Sequence, residues 1–331
     1  MTRLIFVTTF ALLVALASSC QSTSVQRSNA QGPPTQLRAG QVLEDARAPQ
    51  GEAGHYQAPT LAERLALEEV IPQLLTALHD DSPNLATLDD RLLEAGLRLQ
   101  LYPHGDHTFY ALFEAGPTWR GSGVYLFRAG DDVQEVVIQS PHSYHDRGTD
   151  LIGLALFEAL NVRAFYMNSL HRYHATADFR ETDGSPSDIC HNSASVFHHM
   201  STAALTHAPE LRIVQLHGFR ARDQGQRAFD IIVSDGSDEP HAWTHAVVDT
   251  LASQLNPAAG VALFPRDTTA LGATGNVLGR FANLHAPGRF VHLEFSDELR
   301  DALQDDITPL TTTLGALLKS PSAAGSPEQA E

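Results

Sequence analysis

Residues 136–169 read VVIQSPHSYHDRGTDLIGLALFEALNVRAFYMNS. Val136-Val137-Ile138 is an apolar run of strand length, and Pro141 stops it. From Thr149 to Leu160 the apolar residues recur at helical spacing, and after Asn161 a second apolar, aromatic-rich run returns to strand texture. Strand, helix and strand in succession make a βαβ unit. Strands that are continuously apolar, rather than alternating, belong to a parallel sheet covered on both faces.

The same texture continues on the carboxyl side. A helix expected from Ser187 to Ala208 leads to LRIVQLHGF (211–219) and FDIIVSDG (229–236). A helix around HAWTHAVVDTLASQL (241–255) and the runs VALFP (261–265) and RFVHLEF (289–295) complete the set. Upstream, TLAERLALEEVIPQLLTALHDD (60–81) is an amphipathic helix opened by a Thr60/Glu63 capping box. NLATLDDRLLEAGLRLQLYP (84–103) reads as a second helix ending near Gly96. HTFYALFEA, GVYLFRA and VQEVVIQS (107–140) then form a meander at one side of the sheet. The predicted fold class is α/β, with a mixed, largely parallel sheet and helices on both faces.

The ends of the chain have a different composition. Residues 1–20 carry Arg3, an apolar stretch from Leu4 to Ala17 and small residues before Cys20. This is the pattern of a secretory signal. Ending Leu16-Ala17-Ser18-Ser19-Cys20, it resembles a bacterial lipoprotein signal, which implies lipidation of Cys20 and a periplasmic or cell-surface location. Residues 21–58 and 320–331 are rich in Gln, Ser, Ala, Gly and Pro and lack the apolar surface to order themselves. The expected organisation is therefore signal (1–20), tether (21–58), one α/β domain (59–319) and tail (320–331). With Cys20 lipidated, Cys190 is the only remaining thiol of two.

Charge narrows the partners. The chain has 22 Lys+Arg against 39 Asp+Glu, a net charge of −17, which repels a phosphate backbone and argues against nucleic acid. Membrane contact is expected through the lipid alone, and oligomeric state has no signature in the sequence.

In open α/β sheets, ligands bind at the carboxyl ends of the strands. VVIQSP delivers His142, with His145 and Asp146 just beyond; FYMNS delivers Asn168, His171 and Arg172; IVQL delivers His217; FVHL delivers Glu294. A catalytic zinc takes two ligands from a short stretch and a third from far along the chain, with one position left open. His142 with His145 or Asp146 fits the close pair, and His217 the distant ligand. Glu294 is the candidate general base. Arg172, Asn168 and Arg280 are candidates for gripping a substrate carboxylate, a bidentate task suited to arginine. The turn LGATGN (271–276) is expected to bring Asn276 and Arg280 to the pocket. Asp188 is a candidate to orient a ligand histidine, and His292 shares a strand face with Glu294.

QSPHSYHDRGTD, VQLHGF and RFVHLEFSDELR resemble the zinc-dependent α/β amidohydrolases and carboxypeptidases, above all N-formylglutamate amidohydrolases and poly-γ-glutamate hydrolases. The resemblance covers residues 130–300 in short fragments. It implies zinc binding by His142 and His217, a general-base role for Glu294, support of the last loop by Arg300, and a peptide or acyl-amino-acid substrate. One departure leaves the third ligand open. The carboxypeptidase pattern has a carboxylate three residues after the first histidine, where this chain has His145, with Asp146 one residue further. The rival readings are a metal-binding protein without turnover, a metal-free histidine-dependent hydrolase or phosphatase, and a catalytically silent member of the fold.

Overall fold

The computed structural model describes residues 56–81, 83–104, 107–116, 120–173, 185–220 and 229–319. The signal segment, Cys20, the tether up to residue 55, the tail and the loop from His174 to Gly184 lie outside the described residues. Helices α1 (Leu61–Ala77) and α2 (Ala86–Glu94) precede strands β1 (Leu97–His104), β2 (His107–Glu114) and β3 (Val124–Arg128). The quoted stretch supplies β4 (Gln134–Ser140), α3 (Thr149–Ala159) and β5 (Val162–Met167). There follow α4 (Val196–His207), β6 (Arg212–Phe219), β7 (Ile231–Ser234), α5 (Ala242–Thr250), β8 (Val261–Leu263) and α6 (Val277–His285). The last elements are β9 (Phe290–Ser296), α7 (Asp297–Asp305) and α8 (Thr308–Lys319). No helix among the described residues is long and apolar enough to cross a membrane.

The strands form one sheet in the order β1-β2-β3-β5-β4-β6-β9-β7-β8. The central block β5-β4-β6-β9 is parallel throughout. On one side the antiparallel meander β1-β2-β3 is added. On the other, β7 runs antiparallel to β9 and parallel to β8. The sheet is thus mixed, and its parallel part is the block that carries the candidate site.

One helix expectation is corrected and another is met. The helix expected from Ser187 begins only at Val196, capped by Ser195, whose side chain accepts from the His198 N–H. Residues 185–195 are instead a series of turns, held by Asp188 N→Ser185 O (2.9 Å), His191 N→Asp188 O (2.9 Å) and Ser195 N→Asn192 O (3.2 Å). The Asn192 side chain accepts from Ala194 N at 2.9 Å, an Asx turn that competes with helix. At the other end, α2 stops at Glu94, and Gly96 (φ +77°) turns the chain directly into β1, which pairs with β2 from Leu97↔Glu114 onward.

Period-two alternation sorts the side chains of the central strands. On one face Val136, Ile138, Val214, Leu216, Val291, Leu293 and Phe295 pack against α3, α5, α7 and α8 through Phe157, Val247, Leu303 and Leu314. On the other, Val137, Ala164, Ile213 and Phe290 pack against α1, α2, α4 and α6 through Leu74, Leu88, Met200 and Leu278. Only the first half of this second face is apolar. Toward the carboxyl ends of the strands it continues as Gln139, Gln215, His217, His292 and Glu294, all buried. A row of buried polar residues demands partners; Ser201, Ser234 and Asn276 supply some, and the turns at 141–149 and 185–195 supply Asp146 and Cys190. At the opposite end of the sheet Arg163, 1% exposed, donates to the carbonyls of Leu78, Arg128 and Gly130 and pairs with Glu135.

Candidate metal centre

His142 sits in a tight turn after β4, where His145 N and Asp146 N both bond the His142 carbonyl at 2.8 Å. Thr149 Oγ1 donates to Asp146 O at 2.8 Å and fixes the exit of the turn. The Asp146 carboxylate lies beside two imidazoles, with Oδ2 3.3 Å from His142 Nδ1 and 3.2 Å from His217 Nδ1. The second nitrogen of each ring meets an oxygen: His142 Nε2 lies 3.0 Å from Asp188 Oδ1, and His217 Nε2 lies 3.0 Å from Gln215 Oε1.

The Gln215 amide cannot turn freely. Its Nε2 donates to Gln139 Oε1 at 2.9 Å, Gln139 Nε2 donates to Ser201 Oγ at 2.9 Å, and Asn276 Nδ2 donates to Gln215 Oε1 at 2.6 Å. The amide oxygen therefore faces His217 and selects the tautomer with hydrogen on Nε2. That leaves the Nδ1 lone pair of the neutral ring aimed at the Asp146 side. Asp188 places the hydrogen of His142 on Nε2 in the same way, although His142 Nδ1 then also faces Arg172 Nη1 at 3.2 Å; Asp188 is itself held by Arg172 Nη2 and by His191 Nδ1 at 3.2 Å.

The electrostatics match a site built for a cation. Burial opposes charge on His142, but the Cys190 thiol, Asp146 and Asp188 outweigh it and hold its pKa well above 6.5. His217 is pushed up to about 9 by Cys190 and Asp146, against burial. Burial would raise the Asp146 carboxyl, yet His142 and His217 hold it far below the usual carboxylate range. Cys190 is lowered to about 6, because the two histidines overcome its burial. Glu294 behaves in the opposite way, with burial pushing it up to about 7. Its Oε1 lies 3.5 Å from His292 Nε2, while its Oε2 is buried with no protein partner. His292 in turn contacts Ser234 Oγ through Nδ1 at 3.2 Å.

These groups line a cleft of about 450 Å³, whose far wall is the loop Leu271–Asn276. Leu271 (φ 58°) and Ala273 (φ 55°) both take the left-handed backbone region, a strained combination that the loop maintains over the cleft. Arg300 closes the site from behind. It donates to Arg147 O (2.9 Å), Phe219 O (3.2 Å) and Phe295 O, joining the ends of the segments that carry Asp146, His217 and Glu294. Its guanidinium fills the space where a Gly218 Cβ would stand, 2.1 Å from Nη1.

His142, Asp146, His217, Glu294 and Arg172 all line this cleft. His145 lines its mouth, but it is exposed and turned toward the rings of His171 (5.4 Å) and Tyr173 (5.3 Å), away from the buried histidine pair. Asp146, not His145, therefore stands with the pair. Asn168 is corrected from substrate contact to scaffold: it is buried, donates to Ser187 O at 3.3 Å and accepts from Leu170 N at 3.3 Å. Arg280 is exposed on the outer face of α6 and does not line the cleft, because the helix buries Leu278, Gly279 and Ala282 on its inner face. Asn276 reaches the cleft but is committed to structure, capping α6 by accepting from Leu278 N and Gly279 N. Cys190, read in the sequence beside His191, was missed as part of the cluster. Its Sγ lies 3.8 Å from His217 Nε2, and the donors of His142, Cys190 and His217 all fall within 4.8 Å of one another.

No protein-family model matches the chain, and no curated protein matches it by sequence. Among solved structures, an aspartoacylase family protein from Mesorhizobium loti matches at 14% identity, covering 66% of this chain and 70% of that one, with a TM-score of 0.39. Succinylglutamate desuccinalase from Vibrio parahaemolyticus matches at 10% identity over 67% of this chain and 77% of that one, TM-score 0.38. A zinc-free form of YndL matches at 15% identity over 56% of this chain and 85% of that one, TM-score 0.37. The functional reading below rests on the site's own geometry.

Proposed function

We propose that this chain is a zinc-dependent hydrolase that cleaves an amide bond beside a carboxylate. One observation carries the reading: a donor set on His142, Asp146 and His217 shares a cleft with a buried, unpartnered Glu294 oxygen. Two of the three donor spacings suit the ion. With bonds of about 2.0–2.1 Å, tetrahedral zinc sets its donors roughly 3.4 Å apart, and the Asp146 contacts to the two Nδ1 atoms measure 3.3 and 3.2 Å. Acceptors on the far nitrogens, Asp188 and Gln215, are what ligating histidines require. When bound, zinc supplies a Lewis acid for the scissile carbonyl.

The protein's own groups do the rest. Glu294 lines the cleft, and its carboxylate takes the proton of an attacking water and then passes it to the leaving amine. Arg172 stands at the cleft wall with its charge fixed by Asp188 and a buried Nε that has no hydrogen-bond partner among the described residues. It holds the substrate carboxylate or the developing oxyanion. Export and lipid attachment through Cys20 would place the domain outside the cytoplasm, where a peptide, a cell-wall fragment or an acylated amino acid is the substrate.

The test is zinc content of the purified protein together with hydrolysis of a panel of N-acyl amino acids and γ-glutamyl peptides. About one zinc per chain, lost in His217→Ala, with turnover lost in Glu294→Gln while its zinc stays, supports the reading. Bound zinc with no hydrolysis by wild type would favour a metal store. No bound metal after zinc is added back would sink the proposal.

A further inference from the structure

We propose that Cys190, His217 and His142 form a second cation site, built on the Nε2 edge of His217 that faces away from Asp146 and selective for a thiophilic ion such as Cd2+ or Cu+. His217 has two faces in this cluster. Its Nδ1 meets Asp146, while its Nε2 lies 3.8 Å from Cys190 Sγ. Gln215 Oε1 lies 3.8 Å from the same sulfur and 3.0 Å from the same nitrogen, and a ring nitrogen of His142 completes the group within 4.8 Å.

The spacing suits an ion bound through sulfur. A tetrahedral ion with a metal–sulfur bond of about 2.3 Å and a metal–nitrogen bond of about 2.05 Å separates the two donors by roughly 3.6 Å, and a larger soft ion separates them further. The ligand types divide the two edges by preference, since thiolate selects soft ions and the carboxylate edge does not. Access is available, because Cys190 lines the cleft although it is only 5% exposed. Binding on this edge takes up Cys190 as thiolate and displaces the Nε2 proton that His217 gives to Gln215. An ion held there ties His217 to Cys190 and competes with the Asp146 edge for the same two rings.

The inference shares two histidines with the hydrolase reading but stands on the thiol, so the two are tested apart. Metal-free full-length protein is titrated with Cd2+ and with Zn2+ for wild type, Cys190→Ser, Cys190→Ala and Asp146→Asn, with near-UV circular dichroism as the check on folding. Cys20 is present in every variant, so only the difference made at position 190 counts. The expected result is thiolate-to-cadmium charge-transfer absorption in wild type and Asp146→Asn that is absent from both Cys190 variants. Zinc affinity should fall about 10-fold or more in Asp146→Asn and stay within about twofold in the Cys190 variants. Equal absorption with and without Cys190, or none at all, overturns the second site and leaves the hydrolase reading intact. Cadmium absorption as expected with zinc affinity unchanged in Asp146→Asn overturns the donor set of the hydrolase reading and keeps the second site. Zinc lost on removal of Cys190 overturns both, because the two edges would then be one site.

Discussion

Replacing Asp188 with Asn removes the charged acceptor behind His142 and leaves the residues of the Asp146 edge in place. Asp188 Oδ1 lies 3.0 Å from His142 Nε2, and the Asp188 pKa is held far below the usual range, against its burial, by His142 and His191. Loss of an outer acceptor on a ligating histidine lowers metal affinity about 10- to 100-fold. A charged acceptor belongs at the upper end, about 2.8 kcal/mol at roughly 1.4 kcal/mol per tenfold. Gln215→Leu removes the neutral acceptor behind His217 and belongs at the lower end, about tenfold. The two acceptors act on histidines joined through Asp146, so the double variant should lose less or more than the product of the two factors, on the order of a thousandfold, and the difference measures their coupling. Zinc affinity measured by competition with a chromophoric chelator at fixed pH reads all three. If Asp188→Asn binds zinc as tightly as wild type, or more tightly, with an unchanged fold, then the metal uses the Nε2 edge that Asp188 covers. The tautomer argument would then be wrong.

Glu294→Gln should retain zinc and lower kcat by about 10²- to 10⁴-fold, the range for a lost general base; a loss confined to KM would point to substrate binding instead. Arg163→Met takes a buried donor from the carbonyls of Leu78, Arg128 and Gly130, of which Leu78 O keeps only the Gly130 N–H, and leaves Glu135 with no cation nearer than His79 at 4.0 Å; it should cost about 3–5 kcal/mol in a urea denaturation experiment. His198 is lowered to about 4, first by burial and then by His199, and its Nδ1 is buried without a partner. A depressed folded pKa contributes stability that is full above the unfolded value of about 6.5 and is lost as pH falls through about 4. Urea midpoints at pH 7.5 and pH 4.5 should therefore converge in His198→Phe relative to wild type, by at most about 3 kcal/mol; parallel shifts in the two proteins would refute the assignment.

The βαβ core was legible because its signal is local. Apolar runs of strand length, a helical repeat between them and polar residues at the run ends are all contained in 136–169, and the same holds for 211–219 and 289–295. Strand direction was less accessible. That β7 runs antiparallel to β9 depends on pairing across the sheet, which has no sequence period. The site was half legible for the same reason. His142, His217 and Glu294 are delivered by strands, whereas Asp188 and Cys190 come from a turn whose apolar residues imitate a helix until Asn192 and Ser195 interrupt it. Arg280 was misplaced although the information was present: Asn276 before VLGRF is a capping signal, and the helical period from that cap puts position 280 on the outer face.

The contact between Arg300 and Gly218 bears on how this sequence can change over time. The guanidinium occupies the volume any side chain at 218 would need, and it holds the ends of three site-bearing segments. A substitution at 218 is tolerable only in a background where residue 300 has already become smaller, and that background has lost the staple. Positions 218 and 300 should therefore be inherited as a pair. The dipeptide His217-Gly218 would then mark a lineage as clearly through its glycine as through its histidine.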